Sequence, residues 1–197
     1  QEGIIELMVR LAQSGRSLVR LKGGDPYIFG RGGEEAEALA AAGIACDTVP
    51  GISAAQGAAA SAGIPLTHRD HAAMLVFATG HLQGEEGERT VALDWAALAR
   101  PHQTVVIYMG VGTLPIICAQ LIAHGLPAST PAAMIERATL PGQRSIVGTL
   151  QTLPQLSVAY GVNPPALVMI GDTVALHARI GSSAEVLTGF PAVVDAA

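Results

Sequence analysis

The chain of 197 residues is poor in the groups that build metal centres, disulfide frameworks and membrane spans. It has two cysteines, one tryptophan, three tyrosines and three phenylalanines, and 14% of its residues are charged. Cys46 and Cys118 lack the CxxC or Cys/His spacing of a metal site, and two cysteines make a poor framework for a chain this long. A reduced, cytoplasmic protein with no bound metal is expected. No apolar run reaches the ~18 residues of a membrane-spanning helix, and no charged-then-apolar leader opens the chain. The formal charge of −5 disfavours nucleic acid as a partner. An acidic ligand would therefore have to meet a local basic cluster. Neither a GxGxxG fingerprint after a strand nor a GxxxxGK phosphate loop occurs, so nicotinamide and ATP chemistry have little support.

Apolar and small residues make up the balance. Half the residues are hydrophobic and 23 are glycine, the composition of layered helices and strands. Folding a chain this long removes roughly 70% of its unfolded surface from water, so a substantial core is available. The densest signal is Lys22 to Glu35, with five glycines in fourteen positions between an apolar run and a helical one. Such a loop lets main chain approach a ligand closely. Asp25 precedes a proline that keeps its backbone extended, which aims the carboxylate at a hydroxyl or an amine. The competing reading is a strand-to-helix turn that Asp-Pro merely initiates.

Strand and helix patterns alternate along the chain. Ile4, Leu7, Met8 and Leu11 recur at helical spacing from the outset, with Gly15 placed to end the helix. Leu18–Leu21 reads as a strand, Glu34–Ala42 as a helix closed by Gly43, and Ile44–Val49 as a strand broken by Pro50-Gly51. A helix of small residues follows from Ser53 to Ala62, and Gly63-Ile64-Pro65 stops it. The polar run Thr67–His71 marks a domain boundary, giving an N-terminal α/β lobe over 1–70 and a C-terminal α/β lobe over 71–197. The second lobe predicts strands at Met74–Thr79, Thr104–Met109, Ala132–Ile135, Gln143–Gly148 and Ala166–Ile170, in a mixed sheet. Helices are predicted at Asp94–Ala99, Leu114–His124 and Thr149–Ser157. Gln83–Thr90 reads as a polar surface loop, and residues after Gly181 as a frayed tail. Apolar strands ending in glycine or polar residues recur at Lys22-Gly23, Pro50-Gly51, Gly80-His81 and Gly110, so one pocket beyond strand ends, between the two lobes, is expected.

Taken in order, Lys22–Glu35, Val49-Pro50-Gly51-Ile52-Ser53-Ala54-Ala55, Gly63-Ile64-Pro65-Leu66-Thr67-His68-Arg69, Thr79-Gly80-His81, Asp94-Trp95 and Tyr108-Met109-Gly110 resemble the uroporphyrinogen-III C-methyltransferases of the tetrapyrrole methylase family. The resemblance extends from Gln1 to about Ile180. It implies a tetrapyrrole methylase-like α/β fold of two lobes with a cofactor cleft, and a homodimer. It also implies transfer of two methyl groups from S-adenosylmethionine to carbons 2 and 7 of uroporphyrinogen III, giving precorrin-2.

By that resemblance Gly23, Gly24, Asp25, Ile28, Ser53, Ala54, Met109 and Ala138 contact the cofactor. Small residues would admit it, and Ile28 and Met109 would supply apolar contact. The macrocycle carries eight carboxylates, which suit forked cationic donors. Arg31, Arg69 and His81 are the candidates, with Glu34 beside the substrate and Arg31 as the residue assisting deprotonation or orientation. Simpler roles compete: core filling for Met109, helix capping for Ser53, favourable interaction with a helix dipole for Glu34, and solvated surface charge for Lys22, Arg31 and Arg69.

Family members begin with a strand and a GxGPGD-type loop that has no match here, so the chain reads as a fragment and nothing is carried over from that element. A methylase acting on another precorrin and a non-catalytic tetrapyrrole- or nucleoside-binding module are the alternatives.

Overall fold

A computed structural model describes residues 1–81, 90–181 and 185–188. The chain divides into two compact units, Gln1–Ser53 and Ala54–Ala197. The division falls after Ser53, ahead of the boundary expected at residue 70, because the helix Ala54–Ala62 packs on a strand of the later unit.

The first unit holds two helices, α1 (Glu2–Gln13) and α2 (Gly32–Ala41). Both end as the sequence predicts. At α2 the Gly43 N–H reaches the Ala40 carbonyl and the Ile44 N–H the Leu39 carbonyl, with Gly43 at φ 71°, so a left-handed residue satisfies carbonyls the helix would leave open. Ser17–Lys22 and Ile44–Val49 form no ladder, contrary to the strands expected there. Both stretches line one cavity of about 760 Å³ together with Met8, Ala36 and Leu39. A strand is defined by pairing as much as by extension. These two present open edges of the kind to which a further strand can pair. Leu39 is the one buried apolar side chain of this unit among the described residues, whereas Val19, Leu21 and Val49 lie largely in the open.

The second unit is built on a mixed sheet in the order β1-β2-β5-β3-β4-β6. Its strands are β1 (Met74–Thr79), β2 (Gln103–Tyr108), β3 (Pro131–Glu136), β4 (Arg144–Thr149), β5 (Ala166–Ile170) and β6 (Glu185–Thr188). β1 and β2 run parallel, β5 is antiparallel to β2 and β3, and β4 forms an antiparallel hairpin with β3. Every β2 residue is buried, which accounts for its uninterrupted apolar pattern. The helices of this unit are α3 (Ala54–Ala62), α4 (Trp95–Leu98), α5 (Leu114–Ala123), α6 (Leu153–Ala159) and α7 (His177–Ile180). Ala55, Ala58, Ala59 and Ala62 form the buried face of α3. Val105, Ile107, Ile117, Leu121, Met134, Ile146 and Val168 anchor the core.

Two expectations fall on residues outside the description. Of the polar loop Gln83–Thr90 only Thr90 is described, and of the tail only 185–188. Those four residues are the strand β6, parallel to β4, where no regular structure was expected.

Candidate cofactor and substrate site

In the first unit the glycine loop is organised by Asp25. Its Oδ1 accepts the Tyr27 N–H at 2.9 Å and its Oδ2 accepts the Gly51 N–H at 3.1 Å, which joins the loop to the Pro50-Gly51 turn. A Cβ at Gly51 would stand 2.9 Å from the Gly24 carbonyl oxygen, so only glycine allows the two turns to meet. Gly24 and Asp25 are thereby brought beside the segment leading to Ser53. Two backbone donors do not exhaust a carboxylate, which keeps lone pairs for an ammonium or hydroxyl. The loop also holds Phe29 and Arg31 at φ 51° and 58°, conformations that side chains rarely adopt and that concentrate at ligand sites. Gly23 is exposed with nothing within 4 Å of a built Cβ, leaving its main chain open to a ligand. Ile28 is half-buried on the same loop.

The cations of this unit have separate tasks. Lys22, expected as a solvated charge, keeps only 12% of its side chain exposed and binds Glu35 at 3.0 and 3.2 Å. Arg20 and Gln1 donate to the same carboxylate. Burial pushes the Glu35 carboxyl up, but the hydrogen bonds from Gln1 and Lys22 and the charges of Lys22 and Arg20 outweigh it and hold the group below its ordinary range. Arg31 and Glu34 form an exposed two-pronged pair at 2.8 and 2.6 Å. Hydrogen bonding to Glu34 raises Arg31, and the same contact lowers Glu34, so both stay ionised at neutral pH. Of the two roles expected for Arg31, this favours orientation of an anion over acceptance of a proton.

In the second unit one expected cofactor residue lies on α3 and two adjoin residues that contact its first turns. Ala54 opens the helix and is exposed. The next N–H, of Ala55, donates to the Tyr108 hydroxyl at 3.0 Å, and Tyr108 precedes Met109. Met109 is 54% exposed at φ 55°, a placement that argues against simple core filling. Thr139, which follows Ala138, lies close to α3 at Gly57. Tyr108, quoted from the sequence only within Tyr108-Met109-Gly110, was given no role of its own, because a tyrosine near the end of a buried strand looks like core. The β1 end is equally tight. Gly80 N donates to the Tyr108 carbonyl at 2.7 Å, and the Thr113 hydroxyl donates to the Gly80 carbonyl at 2.8 Å. A Cβ at Gly80 would stand 2.8 Å from Gly110 Cα.

His81 is exposed at this end, its N–H on the Thr79 hydroxyl. Arg69 is exposed in the turn closed by the His68–Ala72 bridge, on a different loop. Among the described residues no cluster of three or more His, Cys, Asp or Glu could hold a metal. No described helix is long and apolar enough to cross a membrane.

The family pattern of the tetrapyrrole (corrin/porphyrin) methylases matches residues 1–154. The chain belongs to the tetrapyrrole methylases. A siroheme synthase of Nitrosospira multiformis is 55% identical over 180 residues, covering 91% of this chain and 37% of that protein. The chain thus spans little more than a third of the length of such curated relatives. The uroporphyrin-III C-methyltransferase of Thermus thermophilus superposes with a TM-score of 0.77 at 39% identity, covering 92% of this chain and 76% of that one. A structure of the Thermus enzyme complexed with S-adenyl homocysteine matches at TM-score 0.74 and 36% identity, over 89% and 75% of the two chains. The mixed α/β architecture agrees with the fold expected from the resemblance.

Proposed function

We propose that the intact protein methylates uroporphyrinogen III at carbons 2 and 7, with S-adenosylmethionine as donor, giving precorrin-2. The observation that carries this reading is the match to the Thermus methyltransferase over nine-tenths of this chain. The Asp25–Gly51 and Tyr108–Ala55 contacts support it, since they organise the loops to which the cofactor residues are assigned. Bound S-adenosylmethionine supplies an already activated methyl group, so the protein's task is mainly alignment.

Gly23 and Ala54 offer exposed main chain to the cofactor, Gly24 adds main chain held against the Gly51 turn, Ile28, Met109 and Ala138 give apolar contact, and Asp25 and Ser53 give polar contact. Arg31 exchanges Glu34 for a substrate carboxylate and orients the macrocycle, a task for which a guanidinium that stays charged is suited. Arg69 and His81 contribute further cationic contacts to the polyanion. A homodimer and a cytoplasmic location go with this reading.

Incubating the intact protein with uroporphyrinogen III and S-adenosylmethionine, and following the product by absorbance and mass, tests the activity. Gain of two methyl groups is expected. Methylation of a later precorrin alone would transfer the reading to another substrate, and failure to bind S-adenosylhomocysteine would end it.

A further inference from the structure

The β3–β4 hairpin is closed by seven residues, Arg137 to Gln143, and their backbone is unusual. Arg137 and Thr139, at φ 51° and 67°, bracket Ala138 with two left-handed non-glycine residues. The Leu140 N–H bonds back to the Arg137 carbonyl at 3.0 Å, which makes Arg137–Leu140 a β-turn with Thr139 in its third position. A positive φ at that position belongs to glycine or asparagine, and a β-branched threonine is among the residues least suited to it. The following turn makes the contrast. It is closed by Gln143 N to the Leu140 carbonyl at 3.1 Å and carries the expected Pro141-Gly142, with Gly142 at φ 79°. The first turn therefore needs a restraint that the second does not.

Gln143 provides it. Its Oε1 accepts the Thr139 N–H at 2.7 Å, and its Nε2 donates to the Ser61 carbonyl of α3 at 3.2 Å. The residue is 8% exposed, and the β3–β4 pair Glu136–Arg144 fixes the chain directly after it. One buried amide thus clamps the strained turn against the helix whose first residue is Ala54. We infer that Gln143 is a positioning residue for the cofactor site, holding the Ala138 turn on α3 in the conformation that receives S-adenosylmethionine. The inference rests on the cofactor reading above and extends it to a residue that acts through the turn it holds.

The test is calorimetric titration of the intact protein with S-adenosylhomocysteine, for the wild type, Gln143→Ala, and Gln143→Ala combined with Thr139→Gly. Removing the clamp is expected to raise Kd about tenfold, the effect of losing one well-formed hydrogen bond from a binding conformation. Glycine at 139 takes the left-handed conformation without a restraint, so the double variant should recover most of the affinity. A side chain that only stabilised the fold would show no such recovery. Should Gln143→Ala not fold, Gln143→Asn keeps both polar groups but falls one methylene short, and gives the same reading. Unchanged Kd in the single variant, or a loss that Thr139→Gly does not reverse, overturns the positioning role alone. Absence of binding by the wild type removes the cofactor reading and this inference with it.

Discussion

Lys22 and Glu35 form a largely buried ion pair at the edge of the glycine loop, Nζ standing 3.0 Å from one carboxylate oxygen and 3.2 Å from the other. Removing one member of such a pair strands the other charge away from water. Glu35→Gln should therefore destabilise the first unit by about 2–3 kcal/mol, somewhat below the loss for a fully buried pair because Arg20 is more than a third exposed. Urea unfolding followed by far-ultraviolet circular dichroism measures it. Replacing both residues by apolar ones, Lys22→Met with Glu35→Leu, should recover much of the loss.

The same carboxylate gives the fold an acid dependence. Its folded value lies below the ordinary 4.5 because hydrogen bonds and cations outweigh burial. A depressed value means the stabilisation is fully present above the unfolded value and is lost as pH falls through the folded one. The urea midpoint should be flat from neutrality to about pH 5 and fall below about pH 4.5. In Glu35→Gln the part of that fall due to this group should vanish, and an unchanged acid limb would show that other carboxylates carry it.

Glycine positions in the site separate crowded from open ones. A methyl group at Gly51 meets the Gly24–Asp25 peptide, its nearest atom the Gly24 carbonyl oxygen at 2.9 Å, whereas one at Gly33 of α2 meets nothing within 4 Å. Gly51→Ala should push the glycine loop away from its turn and weaken S-adenosylhomocysteine binding by about tenfold or more. Gly33→Ala should bind normally and stabilise α2 by about 0.5–1 kcal/mol. Titration and thermal unfolding of the pair decide between crowding and a general intolerance of side chains in this loop.

How far the sequence discloses the molecule depends on how local each cause is. The glycines at 15, 43, 63 and 125 mark helix ends because the left-handed residue and its capping bonds lie within a few positions of one another. Met74–Thr79 and Ala166–Ile170 are legible to the residue, being apolar runs bounded by polar or turn residues. β6 is not, since Glu185–Thr188 has no strong pattern and is a strand only because β4 pairs with it. The glycine loop and the strand ends were visible as motifs. The contacts that Gln143 and Tyr108 make to α3 were not, because those partners lie 82 and 53 residues away and nothing local announces them.

Cys46 and Cys118 should behave oppositely toward thiol reagents. Cys46 is exposed, while burial pushes the Cys118 thiol up to about 12 and leaves it 2% accessible in the core. Only the thiolate reacts, and only where the reagent can reach it. One equivalent of a chromogenic disulfide reagent should be consumed by the native protein and two after denaturation. Rapid consumption of both under native conditions would mean that the α5 core opens readily.

Amide exchange should divide the chain more sharply than any single substitution. Val105, Val106 and Ile107 of β2 sit between β1 and β5 and are buried to within 1% of full cover, so their exchange requires the sheet to come apart. The extended stretches Ser17–Leu21 and Ala45–Val49 have open ladder edges along the 760 Å³ cavity, and Val19 is 94% exposed. Their amides should exchange within seconds, orders of magnitude faster than those of β2, in this 197-residue chain. Helices α1 and α2 should fall between, because their hydrogen bonds are internal while the face they share is only half covered. Slow exchange at Val19 and Val49 would mean that a partner strand, from another copy or another segment, already fills the cavity, and the concentration dependence of that protection would tell the two apart.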